Sequence, residues 1–354
     1  MATGLAGTDL IEAEHAVAAV VAAADVVVPV GAGTHCEVGG PIPVGTEVRA
    51  PAGVVAYDPA DLTITLGAGT TVAELDGTLG AAGQECALDP RDPAATVGGV
   101  LSTGLSGLRR LRYGPLRDRV LEVRFATADG RLVRGGGPTV KNVTGYDMPR
   151  LLVGSFGTLG VLTRVILRCQ PRPQETHWYA TGADPLATRQ ACFRASSMLW
   201  DGSTTSVLLE GHPGDVASEA RAAMLERVEG PVALPEGPHR GRASVAPGRL
   251  SDLGGALGAL GDVRWLAEVG VGTVHVATDT EDALDAVRRE VERAGGWLLR
   301  EAGAPGLDGF GVVPANHDLL ARVKAAFDPT GKLAPGRLPF LPPASGDVDR
   351  AATA

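Results

Sequence analysis

Ala95-Thr-Val-Gly-Gly-Val-Leu-Ser-Thr-Gly-Leu-Ser-Gly107 places four glycines and four hydroxyl side chains in thirteen residues. Such a stretch has few large apolar side chains with which to pack a core, so residues 91–107 read as a loop. Its backbone N–H and side-chain O–H groups suit a planar, carbonyl-rich, phosphate-bearing ligand. A second Gly-rich turn lies upstream, Gly31-Ala-Gly-Thr-His-Cys-Glu-Val-Gly-Gly40, directly after the short apolar strand 25–30. Glycine accepts positive φ and adds no side chain, so Gly31-x-Gly33-Thr34 lets backbone N–H groups approach a phosphate. The common nucleotide fingerprints both fail. The third glycine of G-x-G-x-x-G is replaced by Cys36, and no G-x-x-x-x-G-K-[ST] occurs. Alone, the first turn reads as an ordinary tight turn, and the second segment moves the reading toward a ligand site.

Around these segments, helical and strand patterns alternate. Residues 10–24 (LIEAEHAVAAVVAAA) have helical spacing and feed the strand 25–30. Strands are expected at 54–57 and 62–66, then a helix over 71–82 with Leu75 and Leu79 on one face. Residues 120–126 and 131–134 flank Asp129-Gly130 as a hairpin. Gly154-Ser-Phe-Gly-Thr-Leu-Gly160 precedes a strand at 161–168, and Pro171-Arg-Pro173 marks a boundary. Beyond it, strands at 206–210 and 271–277 and helices at 216–228 and 280–294 form an α+β pattern, with 230–249 as its longest loop. A helix at 318–327 and a loop at 328–343 close the fold. The expected division is therefore 1–173, 174–305, 306–343 and a disordered tail, 344–354.

Composition narrows the function. The chain has 354 residues, 44% of them hydrophobic and 21% charged, with 49 Gly and 25 Pro. That is a globular composition with room for about two cores. The net charge of −9 has the wrong sign for nucleic acid or anionic lipid. Cys36, Cys86, Cys169 and Cys192 show no metal or iron–sulfur spacing, so electrons have no cluster of this chain's own through which to leave. The first fifteen residues contain no Lys or Arg, and Asp25 interrupts the apolar run, so a cytoplasmic protein is expected, peripheral to the membrane's inner face at most through partners.

The ordered motifs VGAGTHCEVGG, DPADLTITLGAGTT, DPRDPAATVGGVLSTGLSG, YGPLRDRVLE, KNVTGYDMPRLLVGSFGTLGVLT and FDPTGKLAPGR resemble the FAD-linked oxidases with a vanillyl-alcohol-oxidase type of flavin domain. Among these the chain is most similar to the smaller-subunit family of the glycolate oxidases (glycolate dehydrogenases). The resemblance implies an α+β fold: a two-subdomain FAD-binding domain under an α+β cap. It implies FAD wrapped by Gly31, Ala32, Gly33, Thr34 and His35. Thr96, Gly98, Gly99, Ser102, Thr103 and Gly104 would run along the ribityl chain and ring, and Gly160 and Val161 would lie near the adenosine half. Arg117 and Asp118 are either ligand contacts or a structural ion pair. The covalent histidine of many relatives falls at Thr34, with His35 one residue late, so noncovalent FAD is expected. Lys141 and Asn142 match a segment near the flavin ring, where a Lys would stabilise the reduced anionic form. The C-terminal N-P-G of many relatives is Ala334-Pro-Gly here, although Arg337 is still expected to approach the ring.

Oxidising a 2-hydroxy acid needs a base, a cation for the carboxylate and a hydride acceptor. Metal-assisted relatives carry two His about seven positions apart on a cap strand. Here the seven His are nowhere closer than His15 and His35, which leaves His275 as the best single candidate for a base, with a satisfied core residue as the plain alternative. The resemblance implies that a larger homologous FAD subunit and an iron–sulfur subunit complete a heteromeric 2-hydroxy-acid (glycolate) dehydrogenase. A self-sufficient flavoenzyme and a flavin-binding structural subunit remain the alternatives.

Overall fold

The computed structural model describes residues 7–138 and 145–341. Two antiparallel sheets dominate. The first runs Val54–Asp58, Thr63–Gly67, Val161–Arg168, Val120–Ala126, Leu132–Gly136 across its width. Its core gathers Ile64, Leu66, Val123, Phe125, Val165 and Leu167 from the strands with Leu75 and Leu79 from the helix Val72–Gly80. That helix starts where a capping box allows: Thr71 accepts from the Glu74 N–H, and the Glu74 carboxylate accepts from the Thr71 N–H at 2.9 Å.

Residues 91–107 depart from the expected loop. The stretch contains the helix Val97–Thr103, begun by Thr96 and ended by Gly104 in the left-handed conformation at φ 69°. Val97, Val100 and Leu101 enter the sheet's core with no exposed surface. The two central glycines lower helix propensity, but a capping side chain, a left-handed stop and three buried apolar residues at helical spacing outweigh them.

Beside this body lies a small parallel pair, Val27–Pro29 with Thr46–Val48. Val17 and Val21 of the helix Gly7–Ala23 pack with Val27, Val48 and Leu333 in one cluster. The C-terminal segment thus returns from the helix His317–Phe327 to the first strand, where Val27 and Leu333 form a parallel bridge.

The second sheet has eight strands in the order Glu226–Val228, Glu175–Thr181, Thr205–Gly211, Ala195–Trp200, Val263–Glu268, Thr273–Thr278, His239–Ser244, Trp297–Ala302. The expected loop 230–249 therefore contains a strand, and the expected helix 216–228 is the shorter Pro213–Ala222 followed by an edge strand. HRGRAS hides its strand because only Gly241 and Ala243 face the core. One face of the sheet is apolar and covered by Pro213–Ala222, Leu250–Ala259 and Glu281–Arg293. By strand alternation and register the other face carries Ser197, Leu208, Glu210, Glu268, His275 and Arg242. That inner face meets the first body: Arg242 Nη1 donates to Ser106 O at 2.8 Å, and Leu299 packs with Val38 and Phe156. No helix among the described residues is long and apolar enough to cross a membrane.

Candidate cofactor site

The two Gly-rich segments meet at one cleft. Strand Val27–Pro29 delivers the turn 31–35 to the N-terminus of helix Val97–Thr103, whose cap is Thr96. Thr96 Oγ1 accepts from the Gly99 N–H at 3.2 Å and sits so near Gly31 that a Cβ there would lie 2.2 Å from it. A Cβ on Gly98 would be 2.9 Å from Ala68 O. Gly33, at φ +82°, supplies the left-handed step of the turn. The cleft wall combines Gly31, Ala32, Gly33, Thr34 and His35 with Thr96, Gly98, Gly99, Ser102 and Thr103. Gly160, Val161 and Arg337 complete this part of it.

The turn's hydrogen bonds show what the cleft suits. Among the described residues, the N–H groups of 31–35 donate to no protein acceptor, whereas the next, that of Cys36, closes back on Gly33 O at 3.3 Å. Arg49 Nη1 holds the Gly31 carbonyl at 2.5 Å. A run of free N–H groups, two of them on glycines, is an anion cradle. The hydroxyls of Thr96, Ser102 and Thr103 extend the wall from it. Thr103 Oγ1 donates back to Gly99 O at 3.0 Å. These residues fit a dinucleotide whose diphosphate lies on the turn and whose remainder runs along the helix.

His35 ends the turn on the side facing the second sheet. Its Nδ1 lies 2.9 Å from Thr34 Oγ1. Burial lowers its pKa, as does Arg242, while Glu301 and Asp92 act in the opposite direction. A neutral imidazole here accepts or donates a hydrogen bond without adding charge to the site.

The other expected site residues lie elsewhere. Gly104 stops the helix just beyond the wall, its N–H donating to Val100 O and Leu101 O. Arg117 and Asp118 approach to 3.9 Å off the cleft wall, with side chains 41% and 54% exposed. A surface pair of this kind contributes little. His275 is buried on the inner face of the eight-stranded sheet, Nε2 at 2.8 Å from Glu268 Oε1, with no partner for Nδ1. Lys141 and Asn142 lie outside the described residues.

Sequence reading missed the ionic seam between the two bodies. Arg109 reaches Asp89 at 2.7 Å, Glu85 at 3.0 Å and Glu210 at 3.3 Å. Tyr113 Oη donates to Glu210 Oε2 at 3.0 Å. Burial, with Glu210 and Glu85 adding to it, pushes the Tyr113 phenol up to about 12. Arg242 pairs with Glu301 at 2.9 Å. Burial raises the Glu301 carboxyl's pKa, but Arg242 and His275 more than offset it, leaving the group below its ordinary range. Glu210 is 101 positions from Arg109 and Glu301 is 59 from Arg242, so no local motif signals either pairing.

Residues 8–136 match the family described as FAD binding domain. The chain is 31% identical to glycolate oxidase subunit GlcE of Escherichia coli, over 82% of this chain and 86% of that protein. It is 41% identical over 109 residues to a D-lactate dehydrogenase of Archaeoglobus fulgidus, and 35% identical over 122 residues to glycolate oxidase subunit GlcD of Bacillus subtilis. Those two matches span 31% and 34% of this chain, and 25% and 26% of the relatives. An alkyldihydroxyacetonephosphate synthase structure superposes with a TM-score of 0.66 at 15% identity, covering 92% of this chain and 74% of that one, which establishes the shared fold. With its two Gly-rich segments joined at one cleft under a second, α+β layer, the chain belongs to the FAD-linked oxidase family.

Proposed function

We propose that the chain is the FAD-binding subunit of a heteromeric 2-hydroxy-acid dehydrogenase that oxidises glycolate to glyoxylate. The observation that carries this reading is the near-full-length similarity to a glycolate oxidase subunit, joined to a cleft whose turn offers five free N–H groups. FAD accepts a hydride from CH–OH donors when bound. The chain's own residues hold it: 31–35 take the diphosphate and Thr96 to Thr103 line its length, while Lys141 and Asn142 are assigned to the ring by the motif they match alone. Residues 1–173 form the flavin unit, 174–305 the cap, and 306–343 return to the flavin unit. The holoprotein works in the cytoplasm, with a larger homologous FAD subunit and an iron–sulfur subunit as partners.

The cysteines support an external electron exit. Cys86, Cys169 and Cys192 are buried, and Cys36 stands apart from them on the cleft wall. Among the described residues no group of three or more His, Cys, Asp or Glu is placed to hold a metal ion.

Noncovalent FAD follows from Thr34, which has no imidazole with which to form the histidyl link. The chain purified from its own host is expected to be yellow, to release FAD on denaturation, and to bring a larger flavoprotein and a cluster-bearing protein with it. Flavin left on the denatured polypeptide, read by mass, sinks the noncovalent assignment. A colourless chain that takes up no FAD sinks the function.

A further inference from the structure

Two arginines at the loop leaving the turn, Arg337 buried and Arg300 half-buried, are left without a counter-charge. Arg337 is 8% exposed, and among the described residues no carboxylate lies within ion-pair distance of it. Its guanidinium donates instead to the carbonyls of Cys36 at 3.0 Å and Gly40 at 2.5 Å, with His35 O at 3.5 Å. It also lies over the Phe156 ring, 5.6 Å from the centroid. Arg300, on strand Trp297–Ala302, repeats the pattern. It donates to Gly39 O at 2.9 Å, Ala304 O at 3.1 Å and Gly303 O at 3.3 Å. Burial pushes the Arg337 pKa down, and the charge of Arg300 adds to that push. Leaving a guanidinium uncompensated in the interior is costly, and most proteins avoid it by pairing.

Both arginines act on the loop that leaves the turn 31–35. The C-terminal segment also grips the strand that enters it: Val27 N–H donates to Lys332 O at 2.8 Å, and Ala334 N–H to Val27 O at 2.9 Å. Its fit against the loop is close, since a Cβ on Gly40 would lie 2.2 Å from Gly336 O. The carbonyls of 35, 36, 39 and 40 are thereby drawn to guanidinium groups, while the N–H groups of 31–35 remain unpartnered. Those carbonyls belong to the peptide units that follow the turn, so the loop leaving it is pinned by two cations that have no carboxylate partner.

We propose that Arg337 and Arg300 are positioning residues for the diphosphate of the cofactor, fixing the carbonyls of the loop that leaves the turn and supplying a positive field that a dianionic diphosphate neutralises. This rests on the flavin-binding reading above and places Arg337 at the diphosphate end of the site, not at the ring. Because Arg300 belongs to the cap sheet, the seating of the cap and the shape of the diphosphate turn are parts of one arrangement.

The test is FAD rebinding to the full chain after removal of its flavin, followed by quenching of flavin fluorescence. Arg337→Gln should weaken FAD about 10- to 100-fold, the range of hydrogen bonds to charged groups. Arg337→Lys, which keeps the charge but not the fork, should recover part of the loss. ADP, used as competitor, should weaken in parallel because it carries the same diphosphate. The melting temperature of the flavin-free Gln variant should stay near that of the flavin-free parent, which a purely structural role would not allow. Wild-type affinity in Arg337→Gln, or unchanged ADP competition, overturns the proposal. If the Gln variant does not fold, salt decides: wild-type affinity for FAD should fall between 50 mM and 500 mM salt, Arg337→Lys should keep that dependence at a weaker affinity, and no salt dependence overturns the proposal. Failure of the parent chain itself to bind FAD would instead overturn the flavin reading.

Discussion

Gly31 and Thr96 show how one atom's width joins the two segments that make the cleft. Thr96 Oγ1 serves the Gly99 N–H, and the absent Cβ of Gly31 is what leaves it room, since that Cβ would stand 2.2 Å away. Gly31→Ala must therefore displace the cap or the turn. Forced overpacking of this kind costs about 1–3 kcal/mol, and a lost Thr cap costs about 1 kcal/mol. The variant is expected to lose stability within that range in urea titration and to purify with little FAD. Adding Thr96→Ala should relieve the clash, so the double variant should be more stable than the sum of the single losses. Strict additivity would mean that the two residues do not touch. Sequence reading reached both residues from the chemistry of glycine and hydroxyls, and the packing between them only appears once the chain is folded.

At the scale of the element, the C-terminal loop is held by one carboxylate. Asp328 is 2% exposed and accepts from Lys324 Nζ at 2.5 Å, the Leu333 N–H at 2.7 Å and the Lys332 N–H at 3.1 Å. Lys324 also donates to the carbonyls of Thr158 and Leu333, both at 2.8 Å. Asp328→Ala leaves that half-buried ammonium without its counter-charge and is expected to destabilise the chain by about 3 kcal/mol in urea. Because Leu333 and Ala334 flank the strand that enters the flavin turn, FAD retention should fall as well. Unchanged retention in a destabilised variant would separate the loop from the turn. The motif FDPTGKLAPGR was legible as a motif, but its work was not, because its partners lie in residues 21–40 and 158. Mostly apolar runs were legible: 161–168 has five apolar residues in eight and forms the strand Val161–Arg168. The strand His239–Ser244 was not. Its inner face carries Arg242 against Glu301, so polar residues stand where a period-2 pattern expects apolar ones. Helix Val97–Thr103 was hidden for a different reason, Gly98 being spent on close approach to Ala68 and Gly99 on room for the capping Thr96 hydroxyl.

Over the whole molecule, the inner face of the cap decides whether this chain performs the oxidation by itself. A 2-hydroxycarboxylate needs a cation for its carboxylate and a free base for its hydroxyl. On the described part of that face Arg242, Arg109 and His275 Nε2 are already committed, and His275 Nδ1, though unpartnered, is buried. Arg242 is held by Glu301 and the Ser106 carbonyl, and Arg109 is held by three carboxylates. His275 Nε2 is taken by Glu268, with both side chains 3% exposed. An incoming anion would also meet Glu210, Glu268 and Glu301, whose charges repel it at short range. The isolated chain with FAD is therefore expected to leave glycolate, D-lactate and L-lactate essentially untouched, and turnover should return with the larger flavoprotein and its cluster-bearing partner. Absence of a working base alone typically costs about 10²- to 10⁴-fold in rate. Stopped-flow mixing of the isolated holoprotein with each acid reads the bleaching of oxidised flavin directly. Bleaching within a second would require His275 or an outer residue to reach the substrate. His275→Gln and Glu268→Gln would then tell which: loss in both variants assigns the base to this buried pair, and loss in neither directs attention to the segment around Lys141.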